Sequence, residues 1–379
     1  MMANHLAKPA IAALLAVPAL CAAQAGMSVG LQAPQTIVAR QIYELHSVVF
    51  WICVLIALIV FAIMFYSIVR HRRSIGREAR QFDRYKPLEI VWTVIPCLIV
   101  VGLAFPATRT VLAMKDTSGP DLTIKVTGYQ WKWRYEYLGE NVSFYSELAT
   151  PREQIENKAQ KGENYLLEVD RPLVVPVAKK VRLLLTANDV IHSWFVPALG
   201  VKQDAVPGFV RDTWFKVDAP GTYRGQCTEL CGKDHGFMPV VVEALTEEKY
   251  NAWLALQKAT STAVAAAAVA AAGKTYSSDE LKAEGGKVYA RSCAACHQAN
   301  GQGLPGAFPA IAHGAITTGP LAGHIDIVMN GSKKNPAMAA WKQQLSDLEI
   351  AAVITYERNA FGNTTGDVVQ PSRIASARN

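Results

Sequence analysis

The chain has 379 residues, more than one domain usually holds, so two or more folded units are expected. Hydrophobic residues make up 51% and charged residues 18%, which leans toward a membrane-attached protein rather than a wholly soluble one. The formal net charge of +7 is largely carried by one basic run between two apolar segments, a position that argues against a nucleic-acid surface.

Residues 1–25 have the layout of a cleavable signal peptide: Lys8, an apolar stretch from Ala10 to Ala22, and the small residues Ala23 and Ala25. The run is short of the ~20 residues that a membrane span needs. Cys21 is a poor lipidation site, because Pro18 and Leu20 precede it where small residues belong.

Residues 26–115 read as a transmembrane hairpin with helices at about 46–70 and 89–113. Ser47 to Val69 carries no charge and is long enough for the ~30 Å hydrocarbon layer. The second run is interrupted by Pro96, Pro106 and Arg109, so kinks or a tapered outer end are expected. Between them lie Arg70, Arg72, Arg73, Arg77, Arg80, Arg84 and Lys86 against only Glu78 and Asp83, which makes this loop cytoplasmic. Everything after about residue 113 then lies outside the cytoplasm, in agreement with the signal segment.

From 116 to 256 short alternating runs such as LTIKVTGYQWKWRYEY, KKVRLLLTANDV and GTYRGQC, broken by Gly, Pro and Asp, suggest a Greek-key sandwich or barrel closed by a helical EEKYNAWLALQKA. Residues 257–275 form an Ala-rich stretch, taken as an interdomain linker in preference to a third span because it has few large apolar residues. Residues 276–362 show helical periodicity around a turn-rich middle, which suits a small all-α domain wrapped around a cofactor. The tail, 363–379, is expected to be disordered.

Cys53 and Cys97 fall in the spans, while the other cysteines after the signal form two close pairs. The first is in QCTELCGKDHGFM, which gathers Cys227, Glu229, Cys231, His235 and Met238, with His192 upstream at a strand end. Thiolate, imidazole and thioether together favour copper in an electron-transfer role. A mononuclear blue-copper site needs one Cys, so the second thiol is the informative excess: two thiolates can bridge two copper ions, with a His capping each. By residue type alone a structural zinc site or a disulfide also suits these four side chains, and Met238 also suits core packing.

The second pair is in SCAACH, a C-x-x-C-H motif. Cys293 and Cys296 are spaced for thioethers to haem vinyl groups and His297 for an axial bond to iron. The other axial ligand must lie downstream, where Met329, Met338, His313 and His324 are the candidates.

HSWFVPALGVKQDAVPG followed by GQCTELCGKDHGFMP resembles the dinuclear copper domain of cytochrome c oxidase subunit II, and the C-terminal part resembles small cytochromes c. The arrangement resembles that of caa-type haem-copper oxidases. The resemblance implies a cupredoxin-like copper domain and an all-α class I cytochrome c domain behind the hairpin. It implies that Cys227 and Cys231 bridge both coppers, that His192 and Met238 complete one, and that His235 with the carbonyl of Glu229 completes the other. The Glu229 side chain matches a magnesium position at the subunit I interface. Trp131 matches the tryptophan where electrons enter, Glu89 a glutamate near the mouth of a proton pathway, and Met338 the second axial haem ligand. The usual histidine before Gln130 is Tyr129 here.

The implied function is to take electrons from a cytochrome c or an upstream respiratory complex through haem c to the copper centre. From there they go to haem a of subunit I, where oxygen is reduced with proton pumping. Subunit I, subunit III and membrane lipid are the implied neighbours, in a bacterial inner membrane with both redox domains periplasmic. The alternatives are the copper and haem subunit of a nitric oxide reductase, which would share both motifs, and a membrane-tethered electron shuttle. A quinol-oxidising subunit II is disfavoured, since those lose the copper ligands.

Overall fold

The computed structural model describes residues 30–76, 84–306, 308–332, 338 and 340–378. The expected signal peptide and the middle of the basic loop lie outside the described residues. The chain divides into two compact units, 1–138 with 144–250 and 251–379 with 139–143.

Two long helices open the first unit: α1, Ile37–Arg70, and α2, Lys86–Lys115. At 1.5 Å per residue they measure about 51 and 45 Å, longer than the ~30 Å apolar layer. Both apolar stretches are long enough to cross a membrane and are unburied within the chain. Trp51, Phe65, Trp92 and Phe105 point outward, as lipid- or subunit-facing side chains would. Pro96 and Pro106 sit inside the continuous α2.

The helices run beyond the uncharged segments because their outer ends are fastened to the β-domain. Thr36 caps α1 by accepting the Ala39 N–H, and its own hydroxyl donates to the Leu199 carbonyl at 2.8 Å. Val38 and Ala39 are buried there. A side chain at Gly200 (φ +67°) would come within 2.8 Å of the Ala39 Cα, so only glycine allows this approach. At the end of α2 the Trp214 indole donates to the Ala113 carbonyl at 3.0 Å, and the Thr117 hydroxyl to Asp212 at 2.8 Å. The Thr117 hydroxyl and Arg182 hold the Asp212 carboxyl below its usual range.

The β-domain is a sandwich of two five-stranded sheets. Its strands are β1 Leu122–Tyr129, β2 Lys132–Tyr137, β3 Val142–Ser146, β4 Leu173–Pro176, β5 Val181–Ala187, β6 His192–Val196, β7 Val201–Ala205, β8 Arg211–Phe215, β9 Gly221–Cys227 and β10 Pro239–Leu245. One sheet has the order β3-β2-β1-β5-β8 and the other β4-β10-β9-β6-β7. β1 with β5 and β4 with β10 are parallel, while β1 with β2, β5 with β8, β9 with β10, β6 with β9 and β6 with β7 are antiparallel. A one-turn helix, α3 (Arg152–Ile155), lies in the β3–β4 connection.

The aromatic segment of β2 follows the strand period: Trp133, Tyr135 and Tyr137 are buried between the sheets while Lys132, Arg134 and Glu136 face out. Trp194 stacks on Phe215 at 6.1 Å between centroids, and its N–H meets the Tyr135 hydroxyl at 3.3 Å.

The expected linker 257–275 is not irregular. It continues the helix that closes the β-domain, and α4 spans Glu247–Gly273. Alanine is the best helix former, so low complexity here gives a helix rather than a coil. Its length and composition would also let it cross a membrane.

The second unit contains α5 Ser278–Ser292, the short α6 Ala294–His297, α7 Leu321–Asn330, α8 Asp347–Asn359 and α9 Pro371–Arg378. Capping boxes start α5 (Ser277 with Glu280) and α8 (Ser346 with Glu349). The two helices cross at Gly285, where an added Cβ would lie 2.1 Å from the Ala352 carbonyl oxygen. Tyr289, Tyr356 and Phe361 pack beside the crossing at 4.9–5.7 Å.

The tail departs from expectation. Val369 and Ile374 are buried in the core of this unit, and α9 occupies nearly half of the segment expected to be disordered. Gln370 exchanges two 2.9 Å hydrogen bonds with the backbone of Tyr276, and Arg378 donates to Asp347 and the Leu345 carbonyl. Two well-placed apolar side chains suffice, a signal too sparse to stand out among Ser, Thr and Arg.

Candidate metal centre and cofactor site

Pairing of β6 with β9 sets Trp194 opposite Cys227, which closes the long sequence gap between His192 and the cysteine loop. His192, Cys227 and Cys231 are all buried, and their ligand atoms lie within 4.8 Å of one another. The two sulfurs are 3.9 Å apart, well beyond the roughly 2.05 Å of a disulfide, and both thiols are free. His235, half-buried in a 3₁₀ turn, presents Nδ1 to the Cys231 sulfur at 3.4 Å. The Glu229 carbonyl lies 3.4 Å from the Cys227 sulfur, while the residue itself is exposed. Met238 is buried at the head of β10, and its carbonyl accepts the Cys227 N–H at 3.0 Å.

Hydrogen bonds fix the orientation of His192. Its Nε2 lies 2.8 Å from Asp189 Oδ1, and its buried Nδ1 has no partner among the described residues. A ring donating through Nε2 turns the Nδ1 lone pair to the two sulfurs, as a metal-bound histidine held by a carboxylate does. Two thiols, two imidazole nitrogens and a carbonyl form a soft donor set suited to copper.

The thiols share their protons as a pair. The hydrogen bond from Cys231 holds Cys227 well below the usual thiol range despite burial, with His192 helping; the Cys227 thiolate then pushes Cys231 up. Burial opposes charge on His192, but Asp189 and Cys227 outweigh it and raise its pKa.

Trp131 lies against this loop. Its indole N–H and the Gln130 side-chain amide both donate to the Cys231 carbonyl, at 3.3 and 2.8 Å. A Cβ on Gly232 (φ +121°) would sit 3.0 Å from Gln130 Nε2 and 3.1 Å from the Trp131 ring. Below, Trp133 meets His192 edge-on at 5.9 Å. Asp189 and Gln130 escaped the sequence reading; an acid three residues before a candidate ligand was the available signal. Glu89 is exposed in the first turn of α2, where its carboxylate accepts the Tyr85 N–H at 3.2 Å.

In the second unit, Cys293 ends α5 and the turn Ala294–His297 carries the rest of the motif. His297 Nδ1 lies 2.8 Å from the Pro309 carbonyl, which fixes Nδ1 as donor and leaves Nε2 for a metal. That arrangement fits an axial haem ligand. Met338 is half-buried and its carbonyl accepts the Ser332 N–H at 2.9 Å. Residues 333–337 and 339, beside it, lie outside the described residues. Met329 is buried in the α7 core, and His324 is buried against Glu357.

Residues 122–245 match the family described as cytochrome C oxidase subunit II, periplasmic domain, and residues 23–110 its transmembrane domain. Residues 280–356 match cytochrome C oxidase, cbb3-type, subunit III. The chain is 36% identical over 265 residues to cytochrome c oxidase subunit 2 of Cereibacter sphaeroides, covering 64% of this chain and 88% of that one. It is 39% identical over 231 residues to the probable cytochrome c oxidase subunit 2 of Rickettsia prowazekii, covering 61% and 72%. The chain belongs to the cytochrome c oxidase subunit II family.

It is a subunit II of a haem-copper oxidase with a fused cytochrome c domain, anchored by two apolar helices and associated with other oxidase subunits. Membership implies copper and haem binding in general. Among solved structures, the periplasmic domain of subunit II from Bradyrhizobium japonicum is 41% identical, covers 38% of this chain and 98% of that one, and has a TM-score of 0.34.

Proposed function

We propose that this subunit II holds two copper ions at Cys227, Cys231, His192, His235, Met238 and the Glu229 carbonyl. One covalent haem c is bonded to Cys293 and Cys296, with His297 and Met338 on the iron. When bound, the haem and the copper pair each accept and release one electron, and so link a cytochrome c or an upstream complex to haem a of subunit I. Trp131 is the point on the copper domain where electrons enter, Glu229 the magnesium side chain facing subunit I, and Glu89 a residue at a proton-path mouth. Subunit III is a further neighbour, and the redox domains face the periplasm of a bacterial inner membrane.

The protein's own residues prepare these sites. Asp189 sets the tautomer of His192, the hydrogen bond from Cys231 lowers the pKa of Cys227, and the Pro309 carbonyl orients His297. The observation that carries the copper reading is the buried His192 Nδ1, without a hydrogen-bond partner among the described residues, beside two free thiols 3.9 Å apart. Cys227→Ser tests it: the dinuclear copper signal and oxygen uptake should vanish while haem c remains. Normal oxygen uptake from cytochrome c in that variant would overturn the route.

A further inference from the structure

Behind Cys293 lies a pair of ionisable side chains that neither axial position uses. His324 on α7 and Glu357 on α8 meet at 2.8 Å, and neither side chain is more than 4% exposed. Burial first, and then the nearby Glu357 carboxylate, push the Cys293 thiol well above its usual range.

The partners on the two sides decide where the charge sits. His324 Nδ1 is buried with no partner among the described residues. An imidazolium would strand an N–H donor there, whereas a neutral ring gives its one proton to Glu357 through Nε2. The arginines of this region are engaged elsewhere. Arg358 binds Asp367 at 2.5 Å and the carbonyls of Thr317 and Gly319, and Arg291 pairs with Glu349. Tyr289, the other titratable group facing Glu357, spends its hydroxyl on the Gln298 carbonyl at 2.7 Å.

We propose that Glu357 is a buried anion, held by the neutral His324, that lowers the reduction potential of the haem attached at Cys293. The inference rests on the haem c reading above. Ferric haem carries one more positive charge than ferrous haem, so a carboxylate in the poorly solvated core near its attachment residue would favour the oxidised form. A methionine ligand raises the potential; Glu357 opposes it and eases onward transfer of the electron.

The test is Glu357→Gln in the full chain, which keeps the shape and an acceptor for His324 but removes the charge. Potentiometric titration of the haem band should show the reduced-to-oxidised ratio at fixed ambient potential rising at least tenfold, about 59 mV for a one-electron couple. Glu357→Asp, which retains the charge, should move it less than half as far. A fully haem-loaded Glu357→Gln with an unchanged ratio overturns the proposal.

Should that variant not load, redox-difference infrared spectroscopy of wild-type chain labelled with ¹³C-glutamate decides. A carboxylate band that responds to haem oxidation supports the anion; a carboxylic-acid band, or no glutamate band, overturns it. A wild-type chain without covalent haem would instead remove the haem reading itself.

Discussion

Asp189 Oδ1 accepts the Nε2–H of the buried His192 at 2.8 Å, while its second oxygen accepts the Gln130 N–H at the same distance. One carboxylate thus orients a metal-facing imidazole and the segment that carries Trp131. Asp189→Asn should cut copper affinity about 10–100-fold, the usual cost of losing such an outer partner, with the β-sandwich circular dichroism intact. Wild-type copper affinity in that variant would reduce Asp189 to a turn residue.

Gly128 lies under His192, and a Cβ there would sit 2.8 Å from its Cδ2. Gly128→Ala should displace the ring, costing about 1–3 kcal/mol of domain stability by overpacking and most of the copper. Gly162→Ala, where nothing lies within 4 Å, serves as the control. Equal copper content in the two variants would contradict the packing argument.

Met338→Ala should alter the low-spin haem spectrum without changing copper content. Met329→Leu should leave the spectrum alone, since Met329 is 1% exposed within the helical core. The opposite pattern would move the axial bond to Met329.

Ile374, on α9, is fully buried. Ile374→Ala should cost the cytochrome domain about 2–5 kcal/mol, read as a lower unfolding midpoint of the haem band. No change would return the tail to the disordered class.

Features marked by residue type at fixed spacing were legible in the sequence: uncharged runs long enough to span a bilayer, C-x-x-C-H, and two thiols beside a histidine and a methionine. Features that depend on which surfaces meet were not. Asp189 and Gln130 look like ordinary turn residues until the β1–β2 connection is folded over the Cys231 carbonyl. The first turns of α1 carry Arg40 and Glu44, so hydropathy starts the helix late, although Thr36 caps it against Leu199. His324 and Glu357 are 33 positions apart, and nothing local announces that the two polar side chains meet as a buried pair.

The most direct test is the metal and optical analysis of the purified chain. Two coppers and one covalent haem per chain, with near-infrared copper absorption, are the predicted result. Zinc in place of copper, or no metal with Cys227 and Cys231 joined as a disulfide, would contradict the copper centre and leave a membrane-tethered cytochrome.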